Sequence, residues 1–131
     1  MNKWLIIGLV PILFLLLLFV LTQLEMRDND NDAKKSLETM RTLGLPLETQ
    51  LISSFYQVVG VENGNNCAPE IKVLLHSSLS ESTLQDFYHQ SHDQTGISLK
   101  SLEPTKKEDE YTLTFIDWSK FTEATFDYRC W

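Results

Sequence analysis

Trp4 to Leu21 reads WLIIGLVPILFLLLLFVL, eighteen successive positions without a charged side chain. A helix needs about 20 apolar residues to cross the hydrocarbon core of a bilayer, and continuation to Leu24 supplies them. Pro11 falls inside the run, where membrane helices tolerate a kink. A cleaved secretory leader would have a shorter apolar core, roughly 7–15 residues, ending in small residues. Here the run passes into Leu21-Thr22-Gln23-Leu24-Glu25, with no such site and no cysteine just after it for lipid attachment. The sequence therefore predicts an uncleaved single-pass anchor: residues 1–24 form a cytoplasmic stub and a transmembrane helix, and the bilayer is the partner of residues 4–21.

Beyond the anchor, about a hundred residues remain, enough for one small domain. Ten of the 11 basic residues and all 18 acidic ones lie at or after Glu25, so this part carries a net charge of −8. That sign excludes nucleic acid, whose binding is driven by Lys and Arg neutralising phosphates. It equally opposes adhesion to anionic lipid.

Two signals on orientation oppose each other. Lys3 and the α-amino group precede the helix and favour a cytoplasmic N-terminus. Arg27, Lys34, Lys35 and Arg41 follow it, and a strict Lys/Arg count puts that side inside. The short positive head before a long apolar run has the form of a signal-anchor, so we expect the domain on the extracytoplasmic side of the cell membrane. Cys67 and Cys130 agree with this placement. Their spacing fits neither a C-x-x-C redox motif nor a zinc site, and an oxidising compartment permits a structural disulfide between them.

Residues 25–44 read as a polar linker, with a short helix over Ser36–Leu43 presenting Leu37, Met40 and Leu43 and ended by Gly44. Asp28-x-Asp30-x-Asp32 has the start of a calcium-loop spacing. Ala33 and Thr39 stand where that loop needs Gly and Glu, so a solvated tether is expected.

The domain then spans 45–131. Alternation over Leu51–Val61 predicts a strand, although Pro46 and Glu48 also suit a first helical turn. Glu62-Asn63-Gly64-Asn65-Asn66 predicts a turn, and Glu70–His76 a second strand. Ser80 caps a helix whose apolar face is Leu84, Phe87 and Tyr88, ended by Gly96. Strands are expected at Ile97–Leu102, Glu110–Trp118 and Glu123–Cys130, with Glu103–Asp109 as an exposed turn. The order β-β-α-β-β-β describes an α+β fold, an antiparallel sheet with one helix on a face.

Leu45-Pro46-x-x-Thr49, Gly64-Asn65-Asn66-Cys67 and Leu79-Ser80-Glu81-x-x-Leu84-x-x-Phe87-Tyr88 together resemble small uncharacterised envelope proteins of Gram-positive bacteria. Those pair a membrane anchor or lipoprotein signal with a β-β-α-β domain. The resemblance covers roughly residues 45–131. It implies the fold and the compartment and carries no activity.

Catalytic patterns are lacking. Ser77, Ser78, Ser80 and Ser82 lie in neither G-x-S-x-G nor S-x-x-K, and as a group they suit turn and capping roles. No glycine-rich phosphate loop occurs and no cofactor is implied. His89-x-x-His92, with Asp86 and Asp93, is the one group resembling a metal site. Zinc needs three or four rigidly placed ligands, so an ordinary solvated helix face is the expectation, with a metal-binding enzyme or sensor as the alternative. Tyr56, Val58, Leu74, Ile116 and Trp118 are expected to line the sheet face away from the helix, with Trp131 nearby. Tyr56, Trp118 and Trp131 are thus the candidate binding face, unless residues 37–43 fold back over it. The reading that follows is a membrane-tethered interaction module without catalytic activity and with an envelope protein as partner. An inhibitor or immunity-type membrane protein is a further alternative.

Overall fold

The computed structural model describes residues 3–61 and 64–131, and the side chains of these except 3–7 and 91–93. The turn expected at 62–66 lies partly outside the described residues. The chain is α+β: a long apolar N-terminal helix, then a small antiparallel sheet with a second helix.

Helix α1 runs unbroken from Lys3 to Thr42. After Pro11 no glycine or proline occurs until Gly44, so no residue breaks the helix where the apolar run ends. Gly44 stops it by adopting a left-handed φ of +77°, a conformation costly for residues with a Cβ. The expected solvated tether is therefore corrected over residues 25–35, while the short helix expected over Ser36–Leu43 forms the end of α1. Residues 25–42 are helix continuous with the apolar run, and a stripe at Ala33, Ser36, Leu37 and Met40 is buried against the sheet. Those positions recur at helical spacing, so one side of the helix is committed to packing.

Strands β1 (Thr49–Gly60), β2 (Asn66–Ser77), β3 (Ile97–Pro104) and β4 (Glu110–Asp117) stand in the order β1-β2-β4-β3. Helix α2 (Glu81–Thr95) connects β2 to β3. Leu37 and Met40 of α1 and Leu84 and Tyr88 of α2 join one core with Ile71, Val73, Leu75, Leu113 and Phe115. Both helices thus cover the same sheet face. The Tyr88 and Phe115 rings meet edge-on at 5.2 Å between centroids. Each such buried side chain contributes about 1.5–3 kcal/mol of apolar transfer.

Pro69 sits in a central strand yet breaks no ladder. The pairing of β2 with β4 begins at Glu70, and its pairing with the short β5 (Thr122–Glu123) involves only Asn66 and Cys67. The missing N–H falls in the gap between them.

The last expected strand, Glu123–Cys130, is also corrected: only Thr122–Glu123 pair, and a 3₁₀ turn follows at Tyr128–Cys130. The backbone N–H groups of Thr125, Phe126 and Asp127 donate to the Glu25 carboxylate of α1 instead of to a neighbouring strand. Asp127 then caps the turn through the Arg129 N–H at 3.1 Å. Cys67 and Cys130 are joined as a disulfide, Cα–Cα 5.0 Å, closing 63 positions of sequence.

Candidate functional site

Cross-strand partners share a sheet face, and the register assigns the candidate residues on that basis. Tyr56 pairs with Ile71 and Val58 with Pro69. Both therefore lie on the helix-covered face, and Val58 is buried in a cluster with Ala33 of α1. Trp118 follows β4, and its indole N–H donates to Ser98 Oγ at 2.8 Å. Ser98 pairs with Ile116 on the opposite, open face. Trp131 lies past the 3₁₀ turn, its N–H donating to the Tyr128 carbonyl oxygen. The sheet therefore separates Tyr56 from Trp118, and no single face gathers Tyr56, Trp118 and Trp131. Period-two alternation identifies the two faces of a strand, but not which of them a remote helix will cover.

On the open face, Glu70 is buried at the centre of a polar network. Gln57 of β1 donates to it at 2.6 Å, Lys100 of β3 at 3.2 Å, and Lys72 pairs with it at 3.5 Å. Burial opposes its charged form, but the Gln57 and Lys100 hydrogen bonds and the two ammonium groups outweigh this and hold the carboxyl below its usual range. With every neighbour engaged, Glu70 ties three strands together and presents no reactive group.

A second polar cluster joins α1 to the segment after β5. Asn29 Nδ2 donates to Asp127 Oδ2 at 2.8 Å, and Arg129 spans Asp127 at 2.7 Å and Asp30 at 2.7 Å. Arg129 also donates to the Met26 carbonyl oxygen. Farther along α1, Ser36 donates to the buried Asp117 at 2.5 Å. Asp127 is fully buried. Burial works against its ionisation, yet the bonds from Arg129 and Asn29 hold its pKa below the ordinary value. The same contact with Asp127 raises the pKa of Arg129. Cys67, Asp127 and Cys130 have ligand atoms within 4.8 Å of one another. The sulfurs are committed to each other and the carboxylate to Arg129, which makes the group structural. The sequence shows these charges, but only the fold brings positions 25–30 to 125–129.

His89 and Asp86 are exposed on α2. The side chains of His92 and Asp93 lie outside the described residues. No described residue from another element joins His89 into a ligand group.

No protein-family model, curated protein or solved structure matches the chain.

The surface with the clearest binding character is the edge of β1. Thr49–Gly60 reads TQLISSFYQVVG, twelve residues without a charge or a proline. Leu51, Ile52, Phe55 and Tyr56 on it are 37–51% exposed. Edge strands present unpaired N–H and C=O groups, and proteins ordinarily guard them with Lys, Pro or bulges. The opposite edge, β3, is guarded in this way: it carries Lys100, Glu103 and Pro104 and a register shift between Leu99 and Ser101. On β1 the one device is a shift between Leu51 and Ser53. The adjoining helix-side surface is a shallow apolar groove lined by Leu37, Met40, Leu45, Leu51, Val73 and Tyr88. That β1 lacks charge is plain in the sequence; that it is an edge is not.

Proposed function

We propose that the chain is a membrane-anchored, non-catalytic interaction module, its domain outside the cytoplasm, that takes up an extended segment of another envelope protein along β1. The observation that carries this reading is the contrast between the uncharged, apolar β1 edge and the guarded β3 edge. A segment adding to β1 would gain main-chain hydrogen bonds, with its side chains set beside Leu51, Ile52, Phe55 and Tyr56.

Anchor geometry disfavours a second copy as the occupant. Ala33 packs with Val58, and Arg41, further along α1, bonds Ser54, earlier in β1. Thus β1 runs counter to α1. Two copies anchored in one bilayer are related by rotation about the membrane normal, which leaves their β1 strands parallel. Antiparallel pairing, the more stable arrangement, would need one anchor reversed. A partner segment has no such restriction.

Site-specific photo-crosslinkers at Ser53 and Gln57 on β1, and at Lys100 and Ser101 on β3, test this in native membranes. The expected result is one protein adduct from the β1 positions, lost in an Ile52→Lys/Phe55→Lys variant. Equal adducts from β3, or adducts indifferent to the two lysines, would overturn the reading.

A further inference from the structure

We propose that Tyr128 and Trp131, with Phe126 beside them, seat in the headgroup region of the bilayer that α1 enters, so that the domain holds the membrane at a second point. The inference rests on α1 being a bilayer-spanning anchor, for which it is long and apolar enough among the described residues.

Height along α1 is the first observation. The Glu25 carboxylate accepts from the backbone of Thr125, Phe126 and Asp127, and Arg129 reaches Met26 and Asp30. Residues 125–127 are therefore level with the turn of helix that directly follows the apolar run, and the Arg129 side chain reaches farther, to Asp30. Glu25 lies four residues past Leu21, about 6 Å along the axis. The polar layer outside the hydrocarbon core is about 5–7 Å deep on each side. The Glu25 end of the clasp thus sets residues 125–127 at headgroup level; Tyr128 follows directly, and the Trp131 N–H donates to its carbonyl oxygen.

Side-chain chemistry is the second observation. Tyr128 is 69% exposed and Trp131 79%, the most open aromatic rings among the described residues, and Leu24, which precedes Glu25 on α1, is 53% exposed. Tyr and Trp have an apolar body and a polar edge, and they concentrate where hydrocarbon meets water. The surrounding carboxylates give no attraction to anionic lipid, so the contact is made by the rings and requires no lipid charge. Rigidity is the third: the segment is bonded to α1 at several points and cannot swing clear of the surface while the helix stands in the bilayer.

Tryptophan fluorescence of the full chain in phosphatidylcholine vesicles tests the proposal. Trp4, Trp118 and Trp131 are the tryptophans, and three variants retain one each, with Phe at the other two positions. Expected for the Trp131-only protein are quenching by lipids brominated near the headgroup, weaker quenching by deeply brominated lipids, and protection from aqueous acrylamide. Expected for the Trp118-only protein is full acrylamide quenching. A Trp131 as open to acrylamide as Trp118, in vesicles where Trp4 is quenched by brominated lipid, would overturn the second contact and leave the anchor standing. An unquenched Trp4 would remove the anchor and this proposal with it.

Discussion

Arg129 and Asp30 stand 99 positions apart in the chain, and their guanidinium and carboxylate groups meet at 2.7 Å. The same guanidinium grips Asp127, which Asn29 also holds. This clasp makes the helix that continues from the apolar run part of the domain.

Its weight is measurable. Asp127 is fully buried, and Asp127→Ala leaves Arg129 without one of its two counter-charges. Breaking such a pair from one side costs about 3 kcal/mol. We expect Asp127→Ala to lower the thermal midpoint of the detergent-solubilised chain by at least 10 °C, roughly what that energy gives in a domain of this size. Arg129→Ala should act similarly, and the double variant should lose clearly less than the two losses added. Additive losses would mean that the two groups do not act as a pair.

The pH dependence has a definite sign. Asp127 and Glu70 both have folded pKa values below their ordinary ones. A depressed carboxyl pKa contributes stability that is fully present above the unfolded pKa, about 4, and is lost as pH falls through the folded value. The thermal midpoint should therefore hold level from neutral pH down to about 5 and drop below about 4. Asp127→Asn should flatten the drop. A decline centred between pH 6 and 7 would instead implicate a histidine.

Much of the sheet and of α2 is legible because these elements carry local signals: alternation in 51–61, the Ser80 cap, the Gly96 stop. Gly96 does take a left-handed φ of +77° with Ser119 close behind it. The helix over Ser36–Leu43 with its Leu37, Met40 and Leu43 side is legible, whereas residues 25–35 resemble a solvated tether because of their acidic and amide side chains. The helical stripe at Ala33, Ser36, Leu37 and Met40 becomes decisive only with a sheet to receive it. The stretch after Glu123 has strand composition, and it is Glu25, a hundred positions away, that takes its N–H groups. Long-range polar contacts of this kind leave no periodic trace. The β1 edge is half legible, in its lack of charge; that Tyr56 and Trp118 fall on opposite faces is not, because alternation within each strand does not fix the register between strands.

The cysteines offer a test of the compartment. Closing 63 positions, the disulfide stabilises by about 4 kcal/mol in the chain-entropy description. On intact cells, a membrane-impermeant maleimide should label Cys67 and Cys130 only after reduction. Labelling without reductant, and only after lysis, would place the domain in the cytoplasm with reduced thiols.

Helix continuity gives the sharpest contrast between a tether and a docked helix. One inserted residue rotates everything beyond it by about 100° about the helix axis. An alanine inserted between Leu21 and Thr22 turns the anchor relative to the domain and leaves every α1 contact from Glu25 to Met40 in register. The same insertion between Asn31 and Asp32 separates Glu25, Asn29 and Asp30 from Ala33, Ser36, Leu37 and Met40, so that both sets cannot meet their partners together. Ala33 packs against Val58 and the disulfide, and Ser36 against Asp117; one group or the other must let go. We expect the first insertion to leave the thermal midpoint unchanged and the second to lower it sharply, with new protease cleavage between residues 22 and 44. A flexible linker would absorb both insertions alike, and equal midpoints would return this segment to the role of a tether.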